Sequence, residues 1–272
     1  MTNSKLRTTA AKIIPLPIRK FLVAIYMTIK RMLTYKNYDS SEYWRKRASS
    51  PGQAAVLWNN QEYNELYRKD QAEILKPYIQ SLPASSKVLD IGCGIGVVAS
   101  LIRSMRHDVS IDAVDFEEMI TVASEQTNEQ NINYIASPAE DFTGCGYKYD
   151  LIISSACYSA IRDINKLKKA LKNGANMLSD NGKIVMIDPF HRWNYLARAK
   201  FNTKDVETFM KEHQLVLEKK SGILFWLFRD WLANSGFSGA KLEKRYRTGE
   251  KFLKILGQHF WADYKILIFR KA

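Results

Sequence analysis

The stretch Val88-Leu89-Asp90-Ile91-Gly92-Cys93-Gly94-Ile95-Gly96 concentrates the residues of this chain whose types and spacing suit chemistry. An apolar run ends in three glycines at alternate positions, and residues 97–102 supply apolar and small side chains for a following helix. Glycine has no Cβ, so a strand-to-helix turn built from it lets a ligand approach the backbone closely. A dinucleotide fingerprint would read G-x-G-x-x-G; here the third glycine comes one residue early and Val97 fills its slot. Asp90, just ahead of the turn, repels a pyrophosphate and attracts a cation. Asp115 stands 19 residues after Gly96 at the end of a second apolar run. At that spacing a carboxylate reaches both hydroxyls of a bound ribose. It also suits the N-cap of a helix over 117–128. Phe116 and Met119 follow, apolar groups fit to flank an adenine ring.

Val88 through Gly96 resembles motif I of the class I S-adenosylmethionine-dependent methyltransferases. The resemblance implies a cofactor bearing an amino group and a sulfonium, S-adenosyl-L-methionine, held by Asp90, Gly92, Cys93, Gly94 and Gly96. It places Asp115 on the ribose, with Phe116 and Met119 beside the adenine. It also sets loop 137–142 along the adenine edge. Pro138 stands there in place of the more usual acid, and Ala139, Glu140 and Asp141 are the neighbours carried over. The fourth strand, ending at Ser154 and Ser155, would face the transferable methyl. Family members that methylate nucleobase amines carry an Asn/Asp-Pro-Pro-Tyr turn at that strand end; this chain carries Ser154-Ser155-Ala156-Cys157. Cys157 lacks the preceding proline of the cytosine C5 enzymes and reads as a small, half-buried thiol. A helix ahead of the first strand would close over the cofactor, with Tyr43, Trp44, Tyr63 and Tyr67 as closing or packing groups. A looser similarity to small bacterial methyltransferases encoded with surface-glycan enzymes extends through 190–261.

The elements that must position these residues alternate. Apolar runs at 109–114, 132–135, 149–155, 183–187 and 264–269 read as strands that follow the first. Helices fit 117–128 and 163–178, the latter stopped by Asn181-Gly182. The pattern predicts an α/β fold, a doubly wound, Rossmann-like seven-stranded parallel sheet covered by helices on both faces. Residues 86–189 and 262–272 would form the cofactor-binding core and 39–85 a helical lid. Residues 190–261 would be a substrate-facing insertion before the last strand, with a helix over 203–213 and a strand over 215–220. Its dense apolar run 223–228 fits a buried element or a greasy lip for a lipid tail or a membrane.

Charge is segregated. Of a net +13, residues 1–38 hold eight basic side chains and no acid, and 190–261 hold 14 basic and seven acidic ones; the remainder carries −2. Such basic segments suit an anionic partner surface. In the first, Ile18, Phe21, Leu22, Ile25, Ile29, Met32 and Leu33 share a helical face, with Arg19, Lys20, Lys30 and Arg31 off it. The uncharged run 21–29 falls far short of the ~20 residues needed to span a bilayer. Lys30-Arg31 stand where a signal peptide would have small residues. A basic amphipathic helix on an anionic membrane fits best. An arm packed on the body or on a second subunit of a homodimer, and a mitochondrial transit peptide, stay open. Three cysteines without metal-ligand spacing point to a reducing, cytoplasmic setting and to no metal site.

A sulfonium methyl is already electrophilic, so the protein must chiefly align an acceptor and exclude water. A hydroxyl acceptor also benefits from a base. His191, in Asp188-Pro189-Phe190-His191 at the end of the fifth strand, is the candidate base; a structural histidine is the alternative. Tyr158 could bond the acceptor or lie over the sulfonium. Arg192 could hold an anionic group on the substrate. The sequence thus favours O-methylation of a glycan or lipid-linked acceptor on the inner face of a membrane. A soluble small-molecule methyltransferase is the second reading. A non-catalytic scaffold on nucleic acid ranks last, since the basic residues alternate with aliphatics rather than with stackable aromatics.

Overall fold

The computed structural model describes residues 40–272 apart from 51, 127–130, 192, 195–196 and 199–200; the expected N-terminal amphipathic helix lies outside the described residues, as does Arg192. Helix α1 spans Ser40–Arg47, followed by a short 3-10 turn, Gly52–Ala55, and the long α2, Gln61–Gln80. Then come β1 (Lys87–Ile91), α3 (Val97–Met105), β2 (Ser110–Asp115), α4 (Glu117–Gln126), β3 (Ile132–Ala136) and β4 (Tyr149–Ser155). The chain continues through α5 (Ile164–Met177) and β5 (Leu178–Asp188). Two short strands, β6 (Trp193–Asn194) and β7 (Ala197–Arg198), pair with each other and belong to a separate unit. The main body ends with α6 (Thr203–Glu212), β8 (Leu215–Phe225), α7 (Trp226–Ala233), α8 (Gly239–Leu256), α9 (Gln258–Trp261) and β9 (Ala262–Lys271).

The main sheet has seven strands in the order β3-β2-β1-β4-β5-β9-β8. Parallel pairing joins β3, β2, β1, β4 and β5, but β9 is antiparallel to both β5 and β8. The sheet is therefore mixed, not wholly parallel. An apolar run records that a strand is buried, not which way it runs or where it sits, so the strand at 264–269 was legible but its antiparallel insertion between β5 and β8 was not. Alternate residues feed two cores, as a pleat requires. Val88, Ile111, Leu151, Val185 and Ile266 meet α2 and α3 through Tyr67, Leu75, Val98 and Ile102. Leu89, Val114, Ile152, Ile184 and Leu267 meet α5 and α6 through Leu167, Leu171, Val206 and Met210.

Two boundaries differ from expectation. Helix α5, capped by Asp163 accepting from the Asn165 and Lys166 amides, ends at Met177, and residues up to Gly182 already belong to β5. The apolar run 223–228 is divided between elements. Ile223, Leu224 and Phe225 are buried at the end of β8, whereas Trp226 and Leu227 open α7 and face outward. No helix among the described residues is long and apolar enough to cross a membrane.

Candidate functional site

The site gathers at the carboxyl ends of β1, β2, β4 and β5, where open α/β sheets bind ligands. Gly92, Gly94 and Gly96 all hold positive φ, at 73°, 56° and 80°. The turn is pinned by the Gly92 and Cys93 amides, which donate to the Val114 carbonyl at 2.7 and 3.1 Å. Close approach within the protein also demands these glycines. A Cβ on Gly92 would lie 2.2 Å from the Cys157 Cβ, and one on Gly94 would lie 2.7 Å from the Val56 Cγ1. Ala156, next to Cys157, adopts φ of 62°, a strained value for a residue with a Cβ. The chain after β4 is thus pressed against the glycine turn. The Cys93 and Cys157 thiols are pushed up by burial, so neither is a ready nucleophile.

Asp90 is almost wholly buried, and neither carboxylate oxygen has a hydrogen-bond partner among the described residues. Burial pushes its carboxyl up to about 7, opposed by the nearby Arg68 charge and slightly by the Ala99 amide, which does not reach hydrogen-bond geometry. A buried acid without partners is costly unless something cationic pairs with it. Asp115 accepts from the Gly94 amide at 2.7 Å through Oδ2 and from the Phe116 amide at 2.7 Å through Oδ1. Each oxygen keeps a lone pair for a ligand hydroxyl. Burial pushes this carboxyl up to about 6 as well. These are the features a cationic nucleoside needs, and they fit the group that motif I implies.

The flanking residues behave differently from one another. The Arg45 guanidinium of α1 lies 4.7 Å from the Phe116 ring centroid and bonds Glu118 at 2.9 and 3.1 Å. Helix α1 therefore packs against the start of α4 through Phe116 and Glu118. Met119 is buried with Ala48, Ala55 and Ile95, so it holds the lid segment rather than standing free. Along loop 137–142, Ala139 is half-buried, but the two acids turn to α5: Glu140 pairs with Lys166 at 3.1 Å and Asp141 with Lys169 at 2.8 Å.

At the end of β4, Ser154 is buried and donates to Asp188 Oδ2 at 2.8 Å. Asp188 Oδ1 accepts from the amide and hydroxyl of Ser159 at 3.0 and 2.8 Å. Burial outweighs these bonds and pushes the Asp188 carboxyl up to about 6. Tyr158 does not join the site. Its ring is fully buried in the α5-side core, and its hydroxyl lies against Gly174, where it has no hydrogen-bond partner among the described residues. The missing Cβ of Gly174 makes the room that draws it there. Ser155 instead faces α2, accepting from Gln71 Nε2 at 2.6 Å beside the Tyr67 hydroxyl.

His191 is partly exposed at the end of β5, and its Nε2 lies 3.1 Å from Asp263 Oδ1. Asp263 is buried and also binds Arg229 Nε at 2.6 Å through Oδ2. Burial alone would raise the Asp263 carboxyl; Arg229 and His191 outweigh it and hold the acid below the usual carboxylate range. Asp263, Arg229, Arg68 and Gln71 were missed in the sequence. Asp263 and Arg229 come from elements that meet His191 only because β9 inserts between β5 and β8.

Comparison with known proteins agrees with this geometry. A family model described as a methyltransferase domain matches residues 60–236. A malonyl-[acyl-carrier protein] O-methyltransferase of Acetivibrio thermocellus is 31% identical over 123 residues, covering 42% of this chain and 43% of that protein. A release factor glutamine methyltransferase of Streptococcus pneumoniae is 33% identical over 174 residues, covering 62% of this chain and 56% of its own length. The chain thus spans about half the length of the curated relatives it matches. Among solved structures, the N-methyltransferase NodS from Bradyrhizobium japonicum, in complex with S-adenosyl-L-homocysteine, superposes with a TM-score of 0.56 at 16% identity, covering 86% of this chain and 99% of that one. The glycine turn with its two acids, the strand order and the family match together place this chain in the methyltransferase-domain family, the class I S-adenosylmethionine-dependent methyltransferases.

Proposed function

We propose that the chain methylates a hydroxyl oxygen on a glycan or lipid-linked acceptor, with His191 as the general base. The observation that carries this reading is the His191–Asp263–Arg229 series at the strand ends. S-Adenosyl-L-methionine, when bound, supplies an electrophilic methyl group. Asp90 would hold its amino group and Asp115 its ribose hydroxyls. With Nε2–H donating to Asp263, His191 keeps the Nδ1 lone pair free to take the acceptor's proton as the new O–C bond forms. Asp263, kept ionised by Arg229, fixes that tautomer and the orientation of the ring. The segregated positive charge supports an acceptor presented at an anionic surface.

The test is steady-state kinetics with the cofactor and hydroxyl acceptors from cell glycans and lipids. His191→Ala should lower kcat about 10²-fold or more with cofactor affinity nearly unchanged. Asp263→Asn should fall between. A second reading comes from the malonyl-[acyl-carrier protein] O-methyltransferase relatives, since a malonyl group ends in a carboxylate. A carboxylate is already deprotonated near neutral pH and needs no base. Turnover in His191→Ala close to that of the parent would favour a carboxylate acceptor and overturn the hydroxyl reading.

A further inference from the structure

Helices α7, α8 and α9 leave an unusual amount of bulky apolar surface in water. Ile255 is 78% exposed, Phe260 60%, and Phe252, Leu256, Trp226 and Leu227 each about half. Together they present on the order of 600 Å² of apolar surface, the size class that marks an interaction site. Ring contacts tie the patch together, partly through the buried Phe225. Phe252, Ile255 and Leu256 share one face of α8 at i, i+3 and i+4 spacing. Trp261 links Phe260, at 5.3 Å between ring centroids, to Trp226, stacked at 6.3 Å. Phe225 links Trp261 to Phe252 at 6.4 and 6.5 Å.

The patch is also rigidly mounted. Lys265, buried in β9, donates from Nζ to the carbonyls of His259, Phe260 and Ala262 at 2.7, 3.1 and 2.6 Å. Gln258 Nε2 donates to the Gly222 carbonyl at 2.9 Å. Helix α9 is therefore tied down on its inner side while Phe260 projects outward.

Charge decides what meets this face. At ~100° per residue, Lys241 and Arg245 fall within about 20° of Phe252, and Lys244 and Lys251 on its flank. Glu243 and Glu250 fall on the opposite side of α8. Arg245 lies 4.4 Å from the Phe237 ring centroid and 5.7 Å from that of Trp231, a cation seated on the aromatic end of the patch. A second copy docked by two-fold symmetry would set these cations against themselves. The chain's own residues 1–38, with eight basic groups and no acid, would do the same. Tryptophan, phenylalanine and aliphatic side chains ringed by cations are what the interface of an anionic bilayer accepts.

We infer that the α7–α9 face, centred on Phe252, Ile255, Leu256 and Phe260, is a docking surface for anionic membrane lipid. It deepens the surface-bound part of the proposed function and uses none of the residues assigned to cofactor or catalysis. The test is co-sedimentation of the full chain with vesicles of phosphatidylcholine, with and without phosphatidylglycerol. Calorimetry with S-adenosylhomocysteine runs in parallel. The parent should sediment with the phosphatidylglycerol vesicles only, and brominated lipid should quench its tryptophan fluorescence. The double variant Ile255→Glu, Phe260→Ser should lose about tenfold or more of that binding while keeping its affinity for S-adenosylhomocysteine. If that variant fails to fold, Lys244→Glu with Lys251→Glu should lower binding to the charged vesicles. A parent that ignores the vesicles, or variants that bind them as the parent does, would overturn the inference. So would a parent dimer that the apolar variant splits, since the face would then belong to a second copy. A parent that binds S-adenosylhomocysteine but no vesicles counts against this surface alone; a parent that binds vesicles but no S-adenosylhomocysteine counts against the catalytic reading alone.

Discussion

Asp90 is a buried carboxyl without a hydrogen-bond partner among the described residues, with chiefly the Arg68 charge to offset its burial. Its carboxyl ordinarily titrates at 3.8, and burial without partners raises it to about 7. The sign follows directly. An unfolded chain releases this proton near 3.8, whereas the folded protein keeps it until about 7. Folding stability therefore drops as pH climbs through that interval, and the whole penalty is present above 7. Asp90→Asn lacks the penalty, so without cofactor its melting temperature should gain on the parent's as pH rises from 5 to 8. The gap should shrink again on acidification, as thermal melts at several pH values would show. Binding runs the other way. A cationic amino group favours the ionised acid, so affinity for S-adenosylhomocysteine should weaken by up to tenfold per pH unit below about 7. In Asp90→Asn, affinity should be poor and flat with pH by calorimetry. Asp115→Ala should cost about 1.5–3 kcal/mol of binding, because it removes charged acceptors for two hydroxyls and releases the Gly94 amide.

At the scale of elements, the glycine turn between β1 and α3 and the segment after β4 form one interlocked piece. Gly92 combines a positive φ with a Cβ position only 2.2 Å from Cys157. Gly92→Ala should therefore destabilise the protein by about 3 kcal/mol or more, backbone strain and overpacking together. Cys157→Gly should restore part of that loss when combined with it, since the colliding Cβ and Sγ are gone. Urea denaturation of the single and double variants checks this; a double variant no more stable than Gly92→Ala would leave strain as the whole cause. This piece was legible in the sequence because its information is local: strand, three glycines and helix lie within 88–105, and Asp115 closes the next strand. His191 could be placed at the end of β5, but its partner could not. Asp263 lies 72 residues further on, and only the antiparallel β9 brings it back. Tyr158 misled for a related reason. Its position after β4 was readable, but the pocket that swallows its ring is made by Gly174 on another helix. Glu140 and Asp141 were drawn away by lysines of α5, a helix whose register against the loop no local pattern records.

Over the whole molecule, the excess charge falls in two segments, 1–38 and 190–261, and the second also carries the exposed apolar face of α7–α9. The core buries both faces of its sheet with described helices and carries little of the +13 charge. It should thus fold and bind cofactor without residues 1–38, whose eight cations act at longer range. Each cation near an anionic bilayer contributes about 1 kcal/mol, and salt screens that contribution with a Debye length of ~10 Å at 0.1 M. The apolar face of α7–α9 is far less sensitive to salt. Two kinds of anchor therefore predict two salt responses. The chain lacking residues 1–38 should keep its affinity for S-adenosylhomocysteine within about twofold and still sediment with phosphatidylglycerol vesicles, more weakly than the full chain. Its binding should also decline less steeply between low and high salt, because fewer cations remain to be screened. Sedimentation across a salt series measures both the level and the slope. A truncated chain with the parent's slope would show that the first segment does not touch lipid. One that loses cofactor binding would show instead that the segment is an arm packed on the body of the enzyme.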